Sequence, residues 1–190
     1  MLADLSKLKK LGKNVVIGEF VKIIHPEQIE IDDFSRIDDF SILVGGKGIK
    51  IGKFVHIGSY SSVIGGGEFT MEDFSGLAAG VRIITGSDDY SGKCLTNPTT
   101  PIKYRTHAST GFVHIKKHAV LATNVIVYPN VTIGEGTAVG AASVVNLDLD
   151  PWGIYMGYPA RKIQRRASER ILEMEKELMA ETYSAKITKL

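Results

Sequence analysis

The sequence predicts an all-β protein, a parallel β-helix wound from short repeats, on three observations. Blocks of twenty residues opening at Leu11, Ile31, Ile51 and Met71 align with one another. Each block repeats its apolar-led pattern six residues on, at Ile17, Ile37, Ile57 and Leu77, and again at Ile23, Leu43, Val63 and Ile83. The spacing lapses after Ile83 and returns in plain steps of six at Ile115, Leu121, Val127, Ile133, Val139 and Val145. A six-residue unit with one inward anchor is a strand and a turn. Three units close a coil, and coils stack by strand pairing.

Residues 1–10 form a lead-in whose Leu2, Leu5 and Leu8 are expected to cap the first coil, because an open coil end exposes unpaired strand edges. From Leu11 the anchors fill the interior. The residue after each anchor (Gly18, Asp32, Asp38, Gly52, Gly58, Ala78) is expected at a tight corner, where Gly accepts positive φ and Asp accepts the left-handed region. The fifth residue of a unit (Val21, Ser35, Ser41, Val55, Ser61, Ser75, Val81) must also fit inside. The third unit of each block carries two extra residues at one corner: His25-Pro26, Gly45-Gly46, Gly65-Gly66 and Thr85-Gly86. These bulges should stack on one edge. Phe34, Phe54 and Phe74 hold one place per block and predict a structural ladder. Residues 85–114 leave the bulged corner as a long excursion, and structureless stretches of that length are usually functional. From about Arg165 to Glu181, Ile171, Met174 and Leu178 recur at helical spacing, which predicts a helix on the prism or on a neighbouring subunit. The organisation expected is a cap over 1–10, a coil domain over 11–164, and a helix and tail over 165–190.

Composition narrows the function. The 190 residues suit one domain, and a net charge of +2 gives no field for nucleic acid or a membrane surface. Cys94 is the single cysteine, so no internal disulfide forms. The first residues lack the apolar core of a signal peptide, and no apolar run is long enough to span a bilayer. The expectation is a soluble cytoplasmic protein without membrane insertion. His114 and His118 are four apart but restart a coil without an intervening glutamate, so no metal site is assigned.

The hexads, the excursion, and the stretch VLATNVIVYPNVTIGEGTAVGAASVV followed by PWGIYMGYPARKI resemble the hexapeptide-repeat acyltransferases over roughly residues 11–165. Within that superfamily the chain is most similar to the galactoside and sugar acetyltransferases of bacterial surface-polysaccharide pathways. The resemblance implies a left-handed β-helix, a homotrimer with active sites between subunits, and acetyl-CoA lying between two prisms. It implies cofactor contacts at Thr123, Ala141, Asn146, Leu147, Gly157, Pro159, Ala160 and Arg161. Small side chains at Ala122, Ala141 and Ala142 would let a pantetheine arm approach the backbone. Arg161, Lys162, Arg165 and Arg166 could meet the nucleotide phosphates. The family's second basic residue, three after Arg161, is here Gln164.

The related O-acetyltransferases carry a histidine in the excursion to deprotonate a hydroxyl. This chain reads ITGSDDYSG there, with Ser87, Asp88 or Asp89 in its place. A carboxylate with a pKa near ~4 is a poor base for a sugar hydroxyl. It suits an amine, which it can bind as ammonium and orient. Asp88 or Asp89 therefore points to N-acetylation of a nucleotide-linked amino-deoxysugar. By the twenty-residue register Asp88 stacks on Glu68, and two adjacent carboxylates would raise one pKa. His56 ends a hexad and faces outward, a further candidate base, with Tyr60 as its substrate-binding companion and Tyr90 as an aromatic face in the excursion. The rivals are an O-acetyltransferase using His56 or another subunit's His107, and a non-catalytic β-helix scaffold.

Overall fold

The computed structural model describes residues 4–187, and side chains for residues 4–182. Leu2 of the expected cap lies outside them. A short 3-10 turn, Leu5–Lys7, opens the chain. Leu8 packs against the core, and the Lys9 amide donates to the Pro26 carbonyl at 3.2 Å, tying the lead-in to the first bulge.

Among the described residues, short strands then build three walls of a prism, six in the first, eight in the second and six in the third, all parallel except the last of the second. One circuit runs Gly48–Ile51, His56–Ile57, Ser62–Ile64, and the next runs Glu68–Met71, Gly76–Leu77, Arg82–Ile84. Register follows the twenty-residue block: Ile31 pairs with Ile51, Ile51 with Met71, Ile37 with Ile57, and Val63 with Ile83. The anchors of the inner coils make one continuous core. Ile31, Leu43, Ile57, Ile83, Ile115 and Ile133 have no accessible surface, whereas Leu11 on the open first coil is 46% exposed. The fifth positions are buried too, and Ser35, Ser41 and Ser61 bridge coils. Ser35 Oγ donates to the Gly52 carbonyl at 2.7 Å and accepts from the Val55 amide at 3.2 Å. Ser61 does the same between Ala78 and Val81.

The turns depart from expectation. Positive φ falls three residues after the anchor, at Asn14, Phe34, Phe40, Phe54, Tyr60, Phe74, Gly80, His118, Asn124, Asn130, Gly136, Ala142 and Trp152. The residue after the anchor is small for another reason. A Cβ on Gly12 would stand 2.5 Å from the Asp33 amide nitrogen of the next coil, and one on Gly58 would stand 2.8 Å from the Ala78 carbonyl carbon. Left-handed backbone costs a bulky residue about 1–2 kcal/mol. Ring stacking offsets it by about 0.5–1.5 kcal/mol per pair. Phe34, Phe54 and Phe74 stack at 4.9 Å, near the spacing of paired strands, and His118 extends the ladder at 5.2 Å from Phe74. Phe20, Phe40 and Tyr60 form a second ladder on the next edge.

The bulges do stack on the edge between the third and first walls: a Cβ on Gly46 would strike Gly66, and one on Gly45 would meet the His25 carbonyl. The excursion leaves from this edge. It is shorter than expected and not structureless. Gly86–Ser87 pairs antiparallel with Ser109–Thr110 as a stem, Ile102–Tyr104 makes one 3-10 turn, and Phe112–Ile115 already belongs to the first wall. Strand pairing with Glu68–Met71 recaptures the chain at Phe112, ahead of the first anchor.

The other end also differs. Arg161–Arg165 is an antiparallel strand on Gly153–Met156, and the helix α1 spans Glu169–Ile187. The second wall there needs a partner for its last strand, and the basic tail supplies one. The helix is held by Glu175, whose carboxylate receives Lys117 Nζ and lies 2.8 Å from His118 Nε2. Burial raises the pKa of Glu175, but these two partners outweigh it and hold the carboxyl below its ordinary value.

Candidate active site

The second wall carries an outward-facing apolar groove. Its outward positions form a column in which Arg36, His56, Gly76, Val120, Ala138 and Ile154 follow in register. A groove of about 720 Å³ runs along this column, floored by Gly76, Ala78, Ala122 and Gly140 and headed by His56 and Asp38. Gly76 is the gap that opens it. A Cβ there would meet only Val120 Cγ1, at 3.9 Å, so packing does not demand the glycine. Glycine inside a strand commonly marks close approach by a ligand.

At the head of the groove, His56 Nε2 lies 2.8 Å from Asp38 Oδ2, and Arg36 Nε donates to Asp38 Oδ1 at 2.6 Å. Partial burial raises the pKa of Asp38, but the bonds from Arg36 and His56 win and keep it below the usual carboxylate value. A second, shallower cleft of about 450 Å³ adjoins on the other side, bordered by Phe34, Arg36, Phe54 and the same His56. Tyr60 stands one edge away, 58% exposed, at the end of its ring ladder.

The excursion separates its two aspartates. Asp89 is saturated: Oδ1 accepts from the Ser91 amide and hydroxyl, and Oδ2 from the amides of Lys93 and Cys94. The Ser91 hydroxyl and amide lead the bonds that lower its pKa to about 2, so it folds the loop and makes a poor base. Its contribution to loop order is complete above the ordinary value of 3.8 and is lost as pH falls through about 2. Replacing Asp89 by Asn is expected to reduce hydrogen-exchange protection of the Lys93 and Cys94 amides, with cofactor affinity unchanged. Unaltered protection would contradict this role. Asp88 carries one bond on each oxygen, from Arg105 Nη2 at 3.1 Å and from the Asn97 amide at 3.2 Å. It keeps lone pairs for a ligand, as an ionised carboxylate accepts about four bonds. Arg105 Nε is buried without a partner. The Ser87 hydroxyl donates to the Asp88 carbonyl, and Tyr90 is 92% exposed.

Glu68 does not stack with Asp88. It pairs in register with Gly48 and Phe112, because the excursion departs at Gly86 before position 88 can enter the coil. Glu68 instead borders a small polar cavity with Lys9, Lys47 and Lys50.

The residues expected to hold the cofactor divide between two edges. Thr123 and Ala141 follow the groove-floor residues Ala122 and Gly140 onto the edge between the second and third walls, where the Thr123 carbonyl accepts from Ala142. Gly157, Pro159 and Ala160 cross the end of the third wall beside them. There the Gly157 carbonyl accepts from Val144, and the Ala160 amide donates to the Val144 carbonyl. Arg161 is exposed at the same end. Asn146 and Leu147 lie on the opposite edge of the third wall, after Val144–Val145, so one chain does not bring them to this set. Arg166 is spent on structure, donating to the carbonyls of His118 and Gly136, and burial lowers its pKa. Among the described residues no cluster of three or more His, Cys, Asp or Glu could hold a metal. Sequence reasoning missed Asp38, Arg36 and Gly76. The usable signal was that Arg36, His56 and Gly76 share one place in successive blocks.

No model of a known protein family matches the chain. It is 38% identical over 168 residues to a dTDP-4-amino-4,6-dideoxy-D-glucose acyltransferase from Escherichia coli, covering 88% of this chain and 86% of that one. It superposes with a TM-score of 0.87 and 41% identity on a variant of AntD, an N-acyltransferase from Bacillus cereus, in complex with dTDP-4-amino-4,6-dideoxyglucose and coenzyme A, covering 93% of each chain. AntD in complex with dTDP and 3-hydroxybutyryl-CoA superposes with a TM-score of 0.86 at 39% identity, covering 94% of this chain and 93% of that one. With such identity carried along the whole of a three-walled coil, the chain belongs to the hexapeptide-repeat acyltransferases.

Proposed function

We propose that this protein transfers an acyl group from acyl-CoA to the amino group of a dTDP-linked amino-dideoxysugar. The observation that carries the reading is its likeness, over nearly its whole length, to an enzyme crystallised with such a sugar and coenzyme A. The excursion agrees in kind: it offers the carboxylate of Asp88, with lone pairs to spare, where hydroxyl-acetylating relatives use histidine. Acetyl is the group proposed, from the resemblance to sugar acetyltransferases, and acetylation would prepare the sugar for a bacterial surface polysaccharide in the cytoplasm. No helix among the described residues is long and apolar enough to cross a membrane.

The working unit proposed is a homotrimer with sites between subunits. The edge carrying Phe20, Phe40 and Tyr60 supports it, since each of these rings is at least half exposed in the single chain. In that assembly the coil domain over 11–164 binds both substrates, and the excursion of one copy reaches the second wall of its neighbour. Thr123, Ala141, Gly157, Pro159, Ala160 and Arg161 serve the coenzyme from one prism, while Asn146 and Leu147 serve it from the next. Ser87, Tyr60, Tyr90 and Glu68 are secondary candidates for the acceptor.

Release of coenzyme A should be measured with dTDP-4-amino-4,6-dideoxyglucose, its 3-amino isomer and the matched 4-hydroxyl sugar, each with acetyl-CoA and 3-hydroxybutyryl-CoA. The expected result is turnover of an amino sugar and none of the hydroxyl sugar. Preference for the hydroxyl sugar, or no binding of either thioester, would overturn the reading.

A further inference from the structure

His56 occupies a position that no residue of the excursion shares: it borders two cavities at once. On one side is the groove with its floor of Gly76, Ala78 and Ala122, an apolar trench suited to a pantetheine arm and its acyl group. On the other is the cleft bordered by Arg36 and the rings of Phe34 and Phe54, which pairs a fixed cation with apolar surface and so suits a sugar bearing a nucleoside diphosphate. A group that accepts the proton during acyl transfer must stand where the two substrates meet, within reach of the nitrogen that attacks and the carbonyl it attacks. Imidazole has the right basicity, with an ordinary pKa of about 6.5 against about 4 for a carboxylate.

The surroundings of His56 are those of an oriented base. The Asp38 carboxylate is fixed from its far side by Arg36 Nε at 2.6 Å. Its other oxygen faces His56 Nε2 at 2.8 Å, which assigns the proton to Nε2 and leaves Nδ1 as the free acceptor. The chain below supplies both charged groups that face the ring, Arg36 and Asp38. The chain above supplies Gly76, which pairs in register with His56 and carries neither charge nor side chain. The imidazole is about half exposed, so its partner does not serve to bury it.

We infer that His56 is the proton acceptor of the acyl transfer and that Asp38 is its positioning residue, with Arg36 holding Asp38. This rests on the reading of the protein as an N-acyltransferase. The neutral amine nitrogen forms a bond to the thioester carbonyl carbon, and the proton on that nitrogen passes to His56 Nδ1. The C–S bond breaks with its electron pair going to sulfur. The imidazolium returns the proton to the thiolate, so amine and thioester become amide and free thiol with nothing left over. The Asp38 carboxylate stabilises the imidazolium more than it does the neutral ring, because the hydrogen bond at Nε2 becomes an ion pair. Asp88 has a separate task in this scheme, to bind and orient the amine.

The test is the split between kcat and KM for the wild type, His56→Asn and Asp38→Asn, with acetyl-CoA and the amino sugar that the wild type uses best. His56→Asn is expected to lower kcat by roughly a hundredfold or more while the KM for each substrate changes little. Asp38→Asn should lower kcat less. It should leave both KM values near the wild type, the split expected of a residue that acts through the base and not on binding. An Asp38→Asn enzyme with the wild-type kcat, or one whose loss lies in KM alone, overturns the inference. So does a His56→Asn enzyme within threefold of the wild-type kcat. His56→Gln, checked by circular dichroism and thermal melting, guards against a folding artefact, since the exposed ring can be replaced without touching the core. If the wild type acylates no amino sugar, the functional reading fails and this assignment fails with it. If the wild type is active and only the His56 and Asp38 results disagree, the functional reading stands and the assignment alone is lost.

Discussion

Replacing Asp88 by Asn is expected to lower kcat/KM for the amino sugar by one to two orders of magnitude, with acyl-CoA affinity unchanged by calorimetry. The magnitude follows from the loss of a hydrogen bond to a charged partner, about 1.5–3 kcal/mol. Asp88 is the excursion carboxylate with capacity left over, holding one donor on each oxygen. The amide keeps one acceptor oxygen, so Asn can still receive either Arg105 or the Asn97 amide, and the loop should hold its shape. Arg105→Ala separates shape from chemistry. It removes the ion pair at 3.1 Å while leaving the carboxylate, and should reduce activity less than Asp88→Asn does. If both variants lose activity equally, Asp88 matters only as a brace for Arg105. If neither does, the excursion does not hold the amine.

Ile57→Ala should be among the most destabilising single substitutions in the protein. Ile57 has no accessible surface and pairs with Ile37 below and Leu77 above. Truncating a buried Ile costs about 2–5 kcal/mol, including the cavity left behind. At about 3 kcal/mol the melting temperature of a chain of this size falls by roughly 6–12 °C. The same truncation at Ile17 removes a partly buried side chain on the open first coil and should cost well under half as much. In a solenoid each coil is stabilised by its neighbours, so an inner defect weakens two interfaces and a terminal one weakens a single interface. Equal losses at the two sites would refute that account.

Much of this architecture was legible because a coil writes its interior into the sequence at fixed intervals. Ile31, Ile37 and Leu43 announce three walls, and the stacked corners announce the edge from which the excursion departs. The turn position was misread because glycine and aspartate after the anchor look like left-handed residues. The true turn holds Phe34, Phe40 and Phe54, which seldom adopt positive φ. Gly80, Gly136, Asn14 and Asn124 in the same place carried the correct signal. The site was harder to read. His56 and Asp38 are eighteen residues apart, two short of a block, so no periodic comparison aligns them. Their contact is diagonal: Arg36 sits in register below His56, and Asp38, two residues further on, turns back to meet both. The Asp88–Glu68 pairing failed for the converse reason, since it extended a periodicity past the residue where the backbone abandons it. Likewise nothing in the number of donors around Asp89 could be counted before the loop was folded.

The hairpin stem at Gly86–Ser87 and Ser109–Thr110 brings the two ends of the excursion together, and the solenoid continues above Glu68 in unbroken order. Everything between the ends of that stem is therefore an interchangeable cassette. Doubling its length would add only about 0.6 kcal/mol of closure entropy. Specificity for a new acceptor could thus be grafted in as a single contiguous insert, with no retuning of the scaffold that receives it.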